Sequence, residues 1–415
     1  MNPFIFDGYI VQLAWRLLAI LAILQIITLV SITVSYKWRR WKSHQSGFQS
    51  IDLESLSIAE ADLQIYMEGV SLFADMELSI QRAQSSIMFE TFIWKNDVLG
   101  RKFRDLYVQK AKEGVEVYIV YDFIGNGILG GSRIKFPKDI PTLHVARYFS
   151  FKRFIHIFSP SRYNVSHRKI LLVDDKIGYV GGYNLGEEYR TKWRDTHIRI
   201  SGPASRELAH AFVDFWNHYV SKQNQLEYPK LSWSPILDVY RNDPRRRNYP
   251  IRSLYLQAIE QAQEYIRITN AYFVPDRAFR RALIDAAQRG VDIEVILPWE
   301  SNHLVVDWVA RHWFKDYLDA GLKLFGYQAA MIHTKTITVD GIWSTIGTAN
   351  LDRLSLWLNH EVNVAILDAG VAQQMEEIFA CDKKQTQEIT SVDWGNRPFR
   401  ARLGERILAP LWPFI

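Results

Sequence analysis

Apolar and polar residues alternate in the same order twice along this chain. The first stretch runs from Ser86-Ile-Met-Phe-Glu90-Thr-Phe-Ile-Trp94, through helix periodicity over Arg101 to Lys112, to Gly114-Val-Glu-Val-Tyr-Ile-Val120. The second runs from Ile266-Arg-Ile-Thr-Asn270-Ala-Tyr-Phe-Val274, through Arg277 to Arg289, to Gly290-Val-Asp-Ile-Glu-Val-Ile296. Period-two alternation predicts strands and the 3.6-residue period predicts helices, with Gly114 and Gly290 placed where helices commonly end. Strand–helix–strand units predict an α/β fold with a parallel or mixed sheet in each half. The join falls within residues 221–250, which contain the polar stretch Arg241-Asn-Asp-Pro-Arg-Arg-Arg-Asn-Tyr-Pro250.

One segment obeys neither period. Leu17 to Tyr36 is a run of twenty residues without a charge, long enough as a helix to cross a bilayer. The basic, Trp-containing flank Lys37-Trp-Arg-Arg-Trp-Lys42 follows it, so the positive-inside rule predicts a single-pass anchor with the remaining chain cytoplasmic, at the inner membrane of a cell. The expected organisation is an anchor over 1–42, halves over 43–230 and 231–395, and an amphipathic tail over 396–415. Arg400, Arg402 and Arg406 alternate with apolar residues in that tail, which suits a bilayer surface.

The strongest chemical signal lies further along each repeat. From His167 and again from His333, a Lys stands at +2 (Lys169, Lys335), an Asp at +7 (Asp174, Asp340), a Gly at +14 (Gly181, Gly347), an Asn at +17 (Asn184, Asn350) and an acid at +28 (Asp195, Glu361). On a strand, His and Lys two apart share a face and the Asp at +7 has the opposite parity. Asp174 and Asp340 are therefore expected to be structural, opening turns that return each Asn beside its His and Lys. Two ammonium groups and two amides suit the non-bridging oxygens of one phosphodiester. Of the two imidazoles, a neutral one can attack phosphorus while a protonated one gives its proton to the leaving alcohol, with Asp195 and Glu361 available to accept an Nδ1 proton. No cluster has the spacing of a metal site, so neither a metal nor another cofactor is expected, and activity should survive chelators with a bell-shaped pH profile.

Charge and cysteine count refine this picture. The net charge is +5, of which residues 1–42 carry +4, so the basic balance gives no reason to expect a nucleic-acid partner. The single Cys381 can form no internal disulfide. Residues 133–169 carry a net charge of +8 with seven aromatics interleaved, a mixture that fits an anionic membrane interface or single-stranded nucleic acid, or a solvated loop. The anchor favours the membrane, and Arg147, Lys152 and Arg153 are its substrate-binding candidates.

The duplicated His-x-Lys-x4-Asp motifs, with Gly181-Gly-Tyr-Asn184 and Gly347-Thr-Ala-Asn350 downstream, resemble those of the phospholipase D superfamily. Glu90-Thr-Phe-Ile-Trp94, Trp193-Arg-Asp-Thr-His197 and Asn270-Ala-Tyr-Phe-Val-Pro275 are most similar to bacterial cardiolipin synthases. This resemblance implies two pseudo-twofold-related α/β/α halves converging on one site, preceded here by one transmembrane helix. It also implies phospholipid substrates, phosphatidylglycerol among them, with Glu90 and Asn270 near the substrate. The implied mechanism is a phosphatidyl-histidine intermediate on His167 with His333 as acid and then base; the reverse assignment fits the spacing equally. Transfer to a lipid hydroxyl and hydrolysis of the head group both remain open at this point.

Overall fold

The computed structural model describes residues 47–58, 60–129, 134–149, 164–220, 222–230 and 236–414, with residues 12–13, 15–17, 19–28, 30 and 33 of the N-terminal segment. The first half comprises β1 (Leu56–Ile58), β2 (Ala61–Glu68), β3 (Ser86–Thr91), β4 (Glu116–Asp122), β5 (Leu143–Tyr148), β6 (Ile170–Val173), β7 (Ile177–Gly181) and β8 (Trp193–Ser201). The second comprises β9 (Leu237–Asn242), β10 (Tyr265–Asn270), β11 (Asp292–Pro298), β12 (Lys323–Tyr327), β13 (Met331–Ile332), β14 (Lys335–Val339), β15 (Trp343–Gly347), β16 (Glu361–Leu367) and β17 (Thr386–Ile389). Helices Val98–Lys112 and Arg277–Gln288 follow the first strand of each repeat, where the periodicity predicts them.

Strand order makes the duplication explicit. One sheet contains the path β2-β8-β7-β6-β3-β4-β5 and the other β9-β16-β15-β14-β10-β11-β12. In both, the three strands at the far end run parallel to one another and the others pair antiparallel. The parallel part needs helical crossovers and the antiparallel part closes through short turns, so each half divides into a framework and a hairpin region.

The two sheets share a core. Ile170, Leu172, Val180, Ile198 and Ile200 of the first half cluster with Ile346, Val362, Val364 and Ile366 of the second. These side chains alternate along strands whose other face packs outward, and each contributes on the order of 1.5–3 kcal/mol when fully buried. Rigid placement of β6, β7 and β8 against β15 and β16 is what fixes the residues that follow.

Asp174 and Asp340 occupy the hairpin turns, with left-handed φ values of 53° and 49° that Asp tolerates better than most residues. The Asp174 carboxylate accepts the backbone N–H groups of Gln84 (2.9 Å), Ser85 (2.7 Å) and Ser86 (3.0 Å), pinning the turn to the start of β3. Asp340 accepts those of Gln263 (2.8 Å), Glu264 (2.9 Å) and Tyr265 (2.9 Å) in the same way at β10. Both carboxylates are thus engaged by the backbone of the strand start beside each turn.

At the N-terminus, residues 19–28 are helical, and Ile20, Ile23, Ile26 and Ile27 are exposed. Gln25 Nε2 donates to the carbonyl of Ile407 at 3.1 Å, attaching this helix to helix Phe399–Leu408 of the C-terminal tail. No helix of the described residues is long and apolar enough to cross a membrane. Tyr36 and the basic flank Lys37 to Lys42 lie outside the described residues.

Candidate active site

Each histidine sits just beyond a short crossing into the opposite half. Ser166 pairs in parallel with His360, and β13 pairs in parallel with β8 through Met331 with Trp193 and Ile332 with Arg194. The backbone N–H of His167 donates to the carbonyl of His360 at 3.0 Å, and that of His333 donates to the carbonyl of Arg194 at 2.7 Å. The next residue on each receiving strand is the acid, so the crossings are reciprocal. His167 Nδ1 lies 3.1 Å from both oxygens of Glu361, and His333 Nδ1 lies 2.7 Å from Asp195 Oδ2. Two dyads result, each built from both halves. With Nδ1–H committed to a carboxylate, the lone pair left on a neutral imidazole is at Nε2.

The ammonium groups complete the site. Lys169 Nζ donates to the His167 carbonyl at 2.6 Å, and Lys335 Nζ donates to the His333 carbonyl. Burial pushes Lys169 down to about 7 and Lys335 down to about 8, against the opposing pull of Glu361 and Asp195. Burial also lowers His167, and the charges of Lys169 and Lys335 add to that while Glu361 opposes it. His333 is driven well below its ordinary range by burial and then by Lys335 and Lys169. Asp195 is raised to about 6 by burial, with the Lys335 charge pulling it back. Burial thus favours neutral imidazoles, with the two lysines and two carboxylates set close around them.

Amides line the same region. Asn184 Oδ1 accepts the backbone N–H of Ile93 at 3.2 Å. Asn350 Nδ2 lies 3.4 Å from Ser355 Oγ, and its buried Oδ1 has no hydrogen-bond partner among the described residues. Aromatic rings wall the imidazoles, with Phe92 at 5.0 Å centroid distance from His167 and Trp193 at 5.1 Å from His333.

The sequence pattern of the family described as "Cardiolipin synthase, PLD-like domain" matches residues 77–216 and 255–383, the two segments that carry these dyads. The chain belongs to this family. A cardiolipin synthase of Clostridium perfringens is 32% identical over 376 residues, covering 85% of this chain and 77% of the relative. Cardiolipin synthase 2 of Staphylococcus epidermidis is 33% identical over 372 residues, covering 85% and 74%. Among solved structures, the phosphatidylserine synthase of Haemophilus influenzae aligns over 84% of this chain and 93% of its own, with a TM-score of 0.65 at 14% identity, which speaks to the fold.

Within this cardiolipin synthase-like frame the other candidates separate. The structure corrects the expectation for Glu90. It is wholly buried, receives Arg168 Nη2 at 2.6 Å and Nε at 3.1 Å, and accepts Ser166 Oγ–H at 2.5 Å. A carboxylate so occupied is closed to lipid; it braces the residues on either side of His167. Asn270 is buried too, and its Oδ1 holds the backbone N–H groups of Tyr272 (3.2 Å) and Leu351 (3.1 Å), a loop tie beside the site. Arg147 lies on β5 with its guanidinium 4.9 Å from the centre of the Phe123 ring. Lys152 and Arg153 lie outside the described residues.

Two positions that spacing alone leaves unremarked also matter. Gly182 and Thr348 both stand at +15 from their histidine. A Cβ on Gly182 would fall within the van der Waals envelope of the Asp195 carboxylate, whereas Thr348 Oγ1 donates to Glu361 Oε2 at 2.5 Å. The unequal +15 residues, Gly in one repeat and Thr in the other, were the available signal.

Proposed function

We propose that this chain is a cardiolipin synthase-type phosphatidyl transferase that works by double displacement at the two dyads. The class of enzyme, a phospholipid-modifying member of the phospholipase D superfamily, follows from the family. The observation that carries the mechanism is the crossed pairing of His167 with Glu361 and His333 with Asp195 around two buried lysines.

In the first step His167 Nε2 attacks the phosphorus of phosphatidylglycerol. The bond from phosphorus to the glycerol oxygen breaks, and His333 gives that oxygen its proton. Lys169, Lys335, Asn184 and Asn350 hold the non-bridging oxygens as charge builds there. In the second step the hydroxyl of another phosphatidylglycerol loses its proton to His333, its oxygen attacks phosphorus, and the bond from phosphorus to His167 breaks. Each acid keeps its imidazole in the tautomer that presents Nε2 and steadies the imidazolium when it forms.

An anchor fits this chemistry. The uncharged run from Leu17 to Tyr36 is read as a single membrane span with Lys37 to Lys42 on the cytoplasmic side, which holds the site at the leaflet where anionic phospholipids lie. A reporter fused after residue 42 should label as cytoplasmic, and a signal from the opposite side overturns that topology.

The deciding experiment incubates purified full-length protein with phosphatidylglycerol vesicles in EDTA and identifies the products. Cardiolipin with free glycerol is expected. Phosphatidic acid with glycerol would make the protein a hydrolase, and activity that disappears in EDTA and returns with a divalent ion would refute the two-histidine mechanism.

A further inference from the structure

In-line displacement at phosphorus fixes more than the two histidines. The leaving oxygen lies opposite the attacking nitrogen and against the group that protonates it. If His167 attacks, the rest of the departing alcohol, and later the arriving one, must extend along the His333 wall. This step rests on the role assignment above.

The two walls differ. Beside His167 stands Phe92, followed by Ile93. Register aligns Glu90, opposite Ile170, with Thr269, opposite Thr336, so Ile93 corresponds to Tyr272. Tyr272 lies 6.0 Å from His333 and 5.1 Å from His303 between ring centroids, and its hydroxyl donates to Asn302 Oδ1 at 2.7 Å. The same register sets Asn302 against Asn126, but Asn126 spends its amide on backbone, accepting Trp94 N–H at 2.7 Å and donating to the Phe92 carbonyl at 2.9 Å, so the His333 side carries a phenol, an exposed carboxamide and a third imidazole where the His167 side shows the side chains of Phe92 and Ile93.

The loop bearing two of these groups is built rather than loose. Ser301 is 1% exposed, and its backbone N–H donates to Asp307 Oδ2 at 2.8 Å. His303 N–H donates to Ser301 Oγ at 2.9 Å, immediately before helix Leu304–Arg311 begins. These bonds fix the backbone while the side chains of Asn302 and His303 remain exposed.

We infer that Tyr272, Asn302 and His303 form the site for the leaving and entering alcohol, and that its ligand is a short polyol of the glycerol type. The carboxamide offers two N–H donors, the imidazole one further nitrogen and the phenol a lone pair, which suits the adjacent hydroxyls of a glycerol arm. Holding a second hydroxyl positions the first for deprotonation by His333. Simple alcohols and water gain nothing from the site.

The test is a partition ratio, which does not depend on how much protein is active. Full-length protein in mixed micelles is given the p-nitrophenyl ester of phosphatidic acid with glycerol and ethanol as competing acceptors, and the two phosphatidyl products are weighed. Asn302→Ala and, separately, His303→Phe should shift the ratio of phosphatidylglycerol to phosphatidylethanol toward ethanol by about tenfold, the effect of one lost hydrogen bond. His303→Gln, which keeps a polar side chain, should recover part of the shift. A ratio equal to wild type in both Asn302→Ala and His303→Phe overturns the site. Loss of transfer to both acceptors alike in both variants also overturns it, since the loop would then serve the chemistry generally. Failure of the underlying role assignment has a different signature, an adduct trapped on His167→Ala protein rather than on His333→Ala protein.

Discussion

The two halves share a strand order and a His–Lys–Asn set, yet they hold their acids differently. Glu361 is met by the hydroxyl of Thr348, which both donates to it and accepts the backbone N–H of Val362 at 2.9 Å. Asp195 has Gly182 at the equivalent position, receives the backbone N–H of Thr196 at 2.8 Å, and occupies the space that a side chain would need. Two residues beyond the acids the contrast continues. Asn363 is satisfied by Ala349 N–H, Tyr255 and Thr345, whereas neither ring nitrogen of His197 has a hydrogen-bond partner among the described residues. Burial pushes His197 down to about 3, so it stays neutral. The halves share equivalent histidines in unequal surroundings, and the double displacement proposed above asks the two for different work.

The largest expected effect comes from removing either imidazole. His167→Ala and His333→Ala should each lower transfer from phosphatidylglycerol by at least about 10³-fold. With a donor bearing a good leaving group, acid quench and intact mass should find the phosphatidyl adduct on His333→Ala only. An adduct on neither variant nor wild type would favour direct attack by the acceptor hydroxyl.

Gly182→Ala comes next. The new Cβ displaces the Asp195 carboxylate, and we expect kcat to fall on the order of 10²-fold, as catalytic groups tolerate little misplacement. Thr348→Val should cost about tenfold in kcat by releasing Glu361, with Thr348→Ser close to wild type. Equal effects at the two +15 positions would mean that the two acids are held alike.

Ionisation gives a gentler effect. Lys169 near 7 and Lys335 near 8 lose their protons in the empty enzyme as pH rises, so the positive charge that the proposed mechanism offers a phosphodiester fades. KM for an anionic phospholipid donor should therefore climb above about pH 8, because anion binding and protonation of these lysines are linked. A KM flat from pH 6 to about pH 9 would separate the lysines from substrate binding. The smallest catalytic effect is expected at the turns. Asp174→Ala and Asp340→Ala should each destabilise the fold by about 1–3 kcal/mol, measured by denaturant unfolding, with kcat little changed.

Much of this arrangement is readable from the sequence because repeats report themselves. Parity separated Asp174 and Asp340 from the chemistry, and the strand–helix–strand pattern located β3, β4, β10 and β11. The crossed dyads could not be read in the same way. Spacing within a half says nothing about which acid a histidine meets, since that depends on Ser166 reaching His360 and Ile332 reaching Arg194 across the interface. The surroundings of Glu90 are hidden from spacing for a related reason. Its partner Arg168 lies between the motif His and Lys, and alternation turns that residue away from the face they share. Asn302 and His303 lie beyond the strand–helix–strand pattern, and only the fold brings them beside Tyr272.

The reciprocal crossing also bears on how such a molecule could be inherited and altered. Each half contributes one member to both dyads, so a change in either half is felt at a histidine encoded in the other. Two segments that exchange parts in this way cannot drift independently, because neither holds both members of a dyad. If the chain were cut between the two halves and the pieces expressed together, the shared core and the crossing strands are the surfaces that would have to reunite them. Covalent continuity then appears as a means of delivering equal numbers of two incomplete partners, with the reactive centre belonging to the seam between them.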